Sequence, residues 1–320
     1  MSLGSWDTAM KTKERGSGTG VEEDLAVDTA QPAQRDPFNY DLAFSRNLGL
    51  VQPLEQRRLK SKTVAIAGLG GVGGVHLTTL ARLGIGGFHI ADFDTFEPQN
   101  FNRQAGATVS SLGRPKIDVM AEQLLDINPT ARLVGFRQGI NPANISDFLE
   151  GVDLVVDGLD FFALDARAML FDEAERRRIP VITAGPIGMS VAWLIFQPGS
   201  MRWRDYFALD LAQGETDQFL LFALGLTPRA TQMPYMDRRY VDLNDHKGPS
   251  LSLSVQLCAG VAAGEALKLL LGRGKVEAAP FFHQFDVYRG LYVTGRLRWG
   301  NAGFLQRVKF FIFKRLLHLS

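Results

Sequence analysis

The chain predicts an α/β fold: a mostly parallel sheet with helices on both faces, extended by a C-terminal part of mixed strand and helix. Between residues 63 and 185, short β-branched runs alternate with amphipathic stretches, the pattern of parallel strands joined by crossover helices. Gly68, Gly70 and Gly73 form G-x-G-x-x-G between the first such run and a helix, which makes the sheet Rossmann-like. Hydrophobic residues make up 46% of 320, ample for a large core.

The elements follow in order. Residues 1–38 are rich in Gly, Thr, Ala and acids without a hydrophobic period, and are expected to be a disordered tail. From Asn39 the chain becomes structured. "QPLEQRRLKS" reads as a helix leading into "TVAIAGLGGVGG", a strand that breaks into glycines. "VHLTTLARLGIG" is a helix that stops at glycine, and "GFHIADFD" is a second strand. "RPKIDVMAEQLLDINP" has helical spacing and ends at Pro129. "ARLVGFRQGI" and "VDLVVDGLD" read as strands flanking a short helix, "NISDFLEG". "ALDARAMLFDEAERRRI" is a further helix, followed by the "PVITAG" strand.

The uncharged stretch from Ile179 to Met201 is long enough to suggest a membrane span. Pro180, Gly185, Pro186 and Gly188 break it, so two buried strands joined by a glycine-rich turn are expected. Beyond Trp203 comes a long mixed segment with helical pieces. "LSLSVQLCAGVAAGEALKLLLG" is then a helix ending at Gly272, "FFHQFDVYRGLYVTGRL" is strand-like, and "FLQRVKFFIFKRLLHLS" is a basic apolar helix. Three parts are expected: the tail over 1–38, a nucleotide-binding domain over 39–290, and a basic amphipathic tail over 291–320. Seven Lys/Arg and no acid lie between Val287 and Ser320. That tail either packs on its own domain or a dimer mate, or meets an anionic lipid surface or a partner.

With 35 basic and 34 acidic side chains, no global field argues for nucleic acid. The single cysteine, Cys258, excludes an internal disulfide and any multi-cysteine zinc site, and fits a reducing cytoplasm. Lys11, Lys13 and Glu14 stand where a secretory leader needs its apolar run. A cytoplasmic protein is expected.

The glycine turn lets backbone approach a phosphate at a helix N-terminus. Asp92, at the end of the second strand, suits ribose hydroxyls, whether of NAD or of ATP. Residues downstream discriminate. Asn100 and Arg103 follow that strand closely, and Lys116 opens a helix, where the helix dipole disfavours a cation unless an anion is near. Asp160 ends the "VDLVVDGLD" strand on the ligand-binding edge. One carboxylate there can hold magnesium with phosphate oxygens. Together these residues describe a triphosphate site.

"GLGGVGG", "ADFDTFEPQNFNRQ", "GRPK", "INP" and "DGLD", in that order from about Asp41 to Gly185, resemble the signature of the ThiF/MoeB adenylating enzymes, relatives of the ubiquitin-activating enzymes. "AGVAAGEALKLLLG" resembles the helix after that family's crossover segment. The resemblance implies ATP against Gly68, Gly70, Gly71 and Gly73, with its ribose at Asp92 and with Asp94 beside it. It implies phosphate or substrate-carboxylate contacts from Asn100, Arg103 and Lys116, and Mg2+ at Asp160. Arg46, in "FSRNLGL", would reach the ATP of a neighbouring subunit, which implies a homodimer. The implied reaction is adenylation of a carboxylate, on the C-terminus of a ubiquitin-like or sulfur-carrier protein or of a peptide.

This chain departs from that family in three ways. It lacks the paired cysteines, so no zinc is expected. Cys258 lies in a small-residue helix and reads as core, so the reaction is expected to stop at the acyl-adenylate or pass it to an external nucleophile. "LDFF" follows where the family carries an asparagine. Two other readings stay open: an NAD-dependent oxidoreductase, and a non-catalytic adaptor that binds nucleotide and a partner or membrane. His246 and Lys247, in "NDHKGPS", belong either to a lid over the acceptor or to an exposed loop without chemistry. Gln284, Asp286 and Arg289 form a polar cluster in a strand context, with no account from sequence.

Overall fold

The computed structural model describes residues 38–243, 245–246 and 248–316. The tail expected over 1–38, Phe38 aside, and Lys247 lie outside the described residues. Residues from Asn39 on form one unit. The strands are β1 Thr63–Ala67, β2 Gly87–Ala91, β3 Arg132–Phe136, β4 Leu154–Asp157, β5 Val181–Ile187, β6 Ser190–Phe196, β7 Phe281–Asp286 and β8 Leu291–Arg296. They form one sheet in the order β3-β2-β1-β4-β5-β6-β7-β8. Pairing is parallel from β3 to β5 and antiparallel from β5 to β8.

The helices are α1 Tyr40–Ala43, α2 Pro53–Ser61, α3 Gly71–Arg82, α4 Lys116–Ile127, α5 Ile145–Phe148, α6 Leu164–Arg176, α7 Trp203–Phe207, α8 Glu215–Leu226, α9 Ser252–Leu271 and α10 Phe304–Leu316. They cover both faces, as the alternation predicts. Residues of β1 are apolar on both sides because each side is covered. Val64 and Ile66 pack with Leu77, Met120 and Ala262 of α3, α4 and α9. Ala65 and Ala67, one residue out of phase, pack with Phe148, Leu170 and Phe222 of α5, α6 and α8.

Register sets the site. Ala67 at the end of β1 pairs with Ala91 and with Asp157, and Asp157 pairs with Thr183. Strands β3, β2, β1 and β4 therefore finish level, at Phe136, Ala91, Ala67 and Asp157, while β5 runs on to Ile187, and the residues that follow the four share one edge. Strand order reverses between β1 and β4, the crevice where open α/β sheets bind ligands.

The uncharged stretch Ile179–Met201 forms the β5–β6 hairpin, turning at Gly188 with φ +62°. Among the described residues α9 is the one helix long and apolar enough to cross a membrane. Here it packs on α3, β5 and β6 and ends at the left-handed Gly272. The expected division at 290 falls inside the β7–β8 hairpin. Leu291–Arg296 is the outer strand, paired along its length with β7. Gly295 leaves room there for the Phe282 ring, which a Cβ would meet at 2.7 Å.

Candidate nucleotide-binding site

A cleft of about 370 Å³ opens at the level ends of β1, β2 and β4, alongside Thr183–Ile187 of β5. Its floor is the glycine turn. Gly68 has φ +84°, and a Cβ there would lie 2.3 Å from the Gly158 carbonyl oxygen. Gly70 caps α3, and Gly70, Gly71 and Val72 line the cleft. The first amides of a helix lack intrahelical acceptors, so this end offers donors and a partial positive charge to an anion. Gly73 plays another part. It does not line the cleft, but a Cβ on it would lie 1.8 Å from the Gly68 oxygen, so it lets the helix close on the turn.

Asp92 stands just past β2 and is buried. It accepts hydrogen bonds from Leu69 N at 2.6 Å and Asp94 N at 2.8 Å. Burial pushes its pKa up, against those bonds and the charge of Lys116. The same carboxylate thus holds the turn and faces the cleft. Lys116, first residue of α4, is only 6% exposed. Its Nζ lies 2.9 Å from Asp94 Oδ2. The anion that its position at a helix start calls for is Asp94, and both residues line the cleft.

Arg103 enters from the segment after β2. Its Nη1 donates to Gln99 O at 2.9 Å and Asn102 Oδ1 at 3.0 Å, and its stem lies beside Gly71. Asp160 is exposed on the cleft wall, its Oδ1 accepting from Phe162 N at 3.0 Å. Gly68, Gly70, Gly71, Asp92, Asp94, Arg103, Lys116 and Asp160 thus share one cleft. Besides Gly73, two residues expected at the site do not line it. Asn100 is buried and caps its own turn, Oδ1 accepting from Glu97 N at 3.0 Å. Arg46 is exposed on the turn Ser45–Asn47.

A profile of the ThiF family matches residues 44–300. The chain belongs to the ThiF family. It is 34% identical over 142 residues to a tRNA threonylcarbamoyladenosine dehydratase of Bacillus subtilis, covering 44% of this chain and 55% of that protein. It is 30% identical over 190 residues to the adenylyltransferase and sulfurtransferase MOCS3 of Drosophila willistoni, covering 58% and 41%. The chain spans about half the length of these curated relatives. The crystal structure of Escherichia coli MccB with MccA-N7isoASN superposes with a TM-score of 0.62 at 17% identity, over 84% of this chain and 75% of that one. At that identity the likeness shows the shared fold.

This ThiF family member also uses residues that sequence reading missed. Asp157, the last residue of β4, accepts from Arg167 Nε at 2.8 Å and Thr183 Oγ1 at 2.9 Å. Arg167 Nη2 donates to Leu159 O at 2.8 Å and Asp160 O at 3.0 Å, so a buried ion pair shapes the turn that presents Asp160. On sequence Arg167 is one more arginine in a charged helix. Gln104 is buried beside Gly70, its Oε1 without a hydrogen-bond partner among the described residues. Its position next to Arg103 was the available signal.

The phenylalanines of "LDFF" make an aromatic wall. Phe161 meets Phe222 at 5.1 Å between centroids, and Phe162 meets Phe219 at 4.9 Å. His246 stacks on Phe162 at 4.7 Å and lines the cleft, so this part of the "NDHKGPS" loop borders the site. The polar strand cluster also finds its purpose. Gln284 Oε1 accepts from Arg229 N at 2.8 Å, Asp286 Oδ2 accepts from Tyr235 OH at 3.1 Å, and Arg289 Nη1 donates to Thr231 O at 3.0 Å. They hold a segment whose Gln232 and Met236 line the cleft. Cys258 is fully buried in α9, and burial drives its thiol pKa up, which leaves it un-ionised and unreactive.

Proposed function

We propose that this ThiF family member activates a carboxylate by adenylation with ATP and magnesium. One observation carries the reading: Arg103, Lys116 and Asp160 converge with the open N-terminus of α3 on a single cleft. A hydride-transfer site would leave Arg103 and Asp160 without a chemical task. The donor set suits a triphosphate, since α3 amides, a guanidinium and an ammonium face it together. Among the described residues no group of three or more His, Cys, Asp or Glu converges. Magnesium bound through phosphate oxygens needs only one or two carboxylates, and Asp160 would hold it. Bound there, the ion would neutralise charge on the phosphate oxygens.

In this reading a carboxylate oxygen of the acceptor attacks the α-phosphorus. The bond from that phosphorus to the bridging oxygen breaks, and pyrophosphate departs with the electron pair. A carboxylate is already ionised at neutral pH, so the chain need supply no general base. Arg103 and Lys116 stabilise charge building on the phosphoryl oxygens, and Asp92 anchors the nucleoside end. The acceptor is a protein or peptide terminus that reaches past Phe162 and His246. With Cys258 buried, the acyl group leaves to an external nucleophile. The active species is a homodimer, with Arg46 of each subunit serving the other's site.

ATP–pyrophosphate exchange, screened across carrier proteins ending in Gly-Gly and short peptides, tests the reading. Asp160→Ala should abolish exchange, and Arg103→Ala should lower it about a hundredfold. Undiminished exchange in both variants would remove these residues from the chemistry. Tight ATP binding without turnover on any acceptor would favour a non-catalytic adaptor.

A further inference from the structure

Helix α10 turns much of its apolar surface outward. Its inward face sets polar contacts beside the half-buried Phe310 and Phe313. Gln306 Nε2 donates to Leu224 O at 3.1 Å, Lys309 Nζ donates to Pro228 O at 2.7 Å, and Lys314 Nζ lies 2.9 Å from Asp217 Oδ1. The outward face is apolar. Phe304 is 78% exposed, Leu305 73%, Phe311 61% and Ile312 50%, with Val308 and Leu316 also exposed. Their spacing places all six on one stripe of a helix. Arg307 and Arg315 are exposed on the same side. Trp299, just ahead of the helix, is 66% exposed under the Arg298 guanidinium.

An apolar stripe of this extent marks a contact surface, and charge selects its occupant. From Val287 to Ser320 there are seven Lys/Arg and no acid. A second copy laid on the stripe would set Arg307 and Arg315 against their own counterparts, with no acid in the segment to offset them. Anionic phospholipid headgroups complement that charge, and the acyl boundary beneath them accepts Phe, Leu and Ile. Arginines within the stripe can extend their heads to the phosphate level, and tryptophan favours the same interface.

We infer that α10, with Trp299, docks the protein on an anionic phospholipid bilayer, lying in the plane of its surface. The 13 described residues of the helix extend about 20 Å, against the roughly 30 Å needed to span. On its far side α8 lines the cleft through Phe222, Ala223 and Leu226. A docked molecule therefore holds its site about one helix layer, roughly 10 Å, above α10.

Vesicle co-sedimentation of the full chain tests this inference. Binding to equimolar phosphatidylglycerol–phosphatidylcholine vesicles should exceed that to phosphatidylcholine alone by about tenfold, and fall with ionic strength. Phe311→Ser with Ile312→Ser should lose binding at unchanged melting temperature, since both side chains are exposed. Arg307→Glu with Arg315→Glu should lose the preference for anionic lipid. No binding, equal binding to both vesicle types, or full binding by the double serine variant would overturn the inference. So would a soluble dimer that the double serine variant dissociates, which would assign the stripe to a second copy.

Discussion

His76 shows how far a single side chain can depart from its usual chemistry. It lies on α3, 1% exposed, with neither ring nitrogen hydrogen-bonded among the described residues. Burial lowers its pKa from 6.5 to about 4, although the nearby Asp157 charge pulls the other way. The folded protein therefore keeps His76 neutral where the unfolded chain protonates it. Its contribution to stability is complete above pH 6.5 and is lost as pH falls toward 4. Urea unfolding should show the native protein losing about 2 kcal/mol more than His76→Leu between neutral pH and about pH 5. Parallel losses in the two proteins would show that His76 is not the group responsible.

At the scale of elements, the turn between β1 and α3 is the tightest joint in the site. Gly73→Ala would push a methyl group to 1.8 Å from the Gly68 oxygen, so backbone must move. The expected cost is about 1–3 kcal/mol, with ATP affinity reduced about tenfold as the helix end withdraws. Gly71→Ala is the control. Its Cβ would meet Val255 at an ordinary 3.7 Å, and stability should hold. Calorimetric titration with ATP and thermal melts on both variants check this, and a Gly73→Ala protein as stable as the parent would contradict the packing argument. The strand-to-helix alternation, the hairpin broken at Gly188 and the glycine stop of α9 were all legible in sequence, because turn residues and side-chain period act locally. The pairing of Asp157 with Arg167 was not. The two are ten residues apart, on a strand and a helix, and only packing against Phe222 reveals the arginine as buried.

At the scale of the whole molecule, the proposed homodimer makes a prediction that no single chain can. If Arg46 serves the neighbouring site, Arg46→Ala and Asp160→Ala should each be inactive alone. Mixed and re-equilibrated, they should recover part of the exchange activity, because a mixed dimer holds one intact site. Recovery absent at every mixing ratio, with mixed dimers verified by mass, would place Arg46 outside the reaction.

Local pattern was enough to specify the α/β fold, the glycine turn and most residues that meet in the cleft. Strand ends carry their loops to one edge whatever the distant contacts, so Asp92, Arg103, Lys116 and Asp160 could be placed from order alone. Packing decided the rest. Asn100 turned inward to cap its own loop, Lys116 took Asp94 as its partner, and two phenylalanines closed a wall with His246. Burial and pairing join residues far apart in the chain, and such contacts exist only once the sheet has formed.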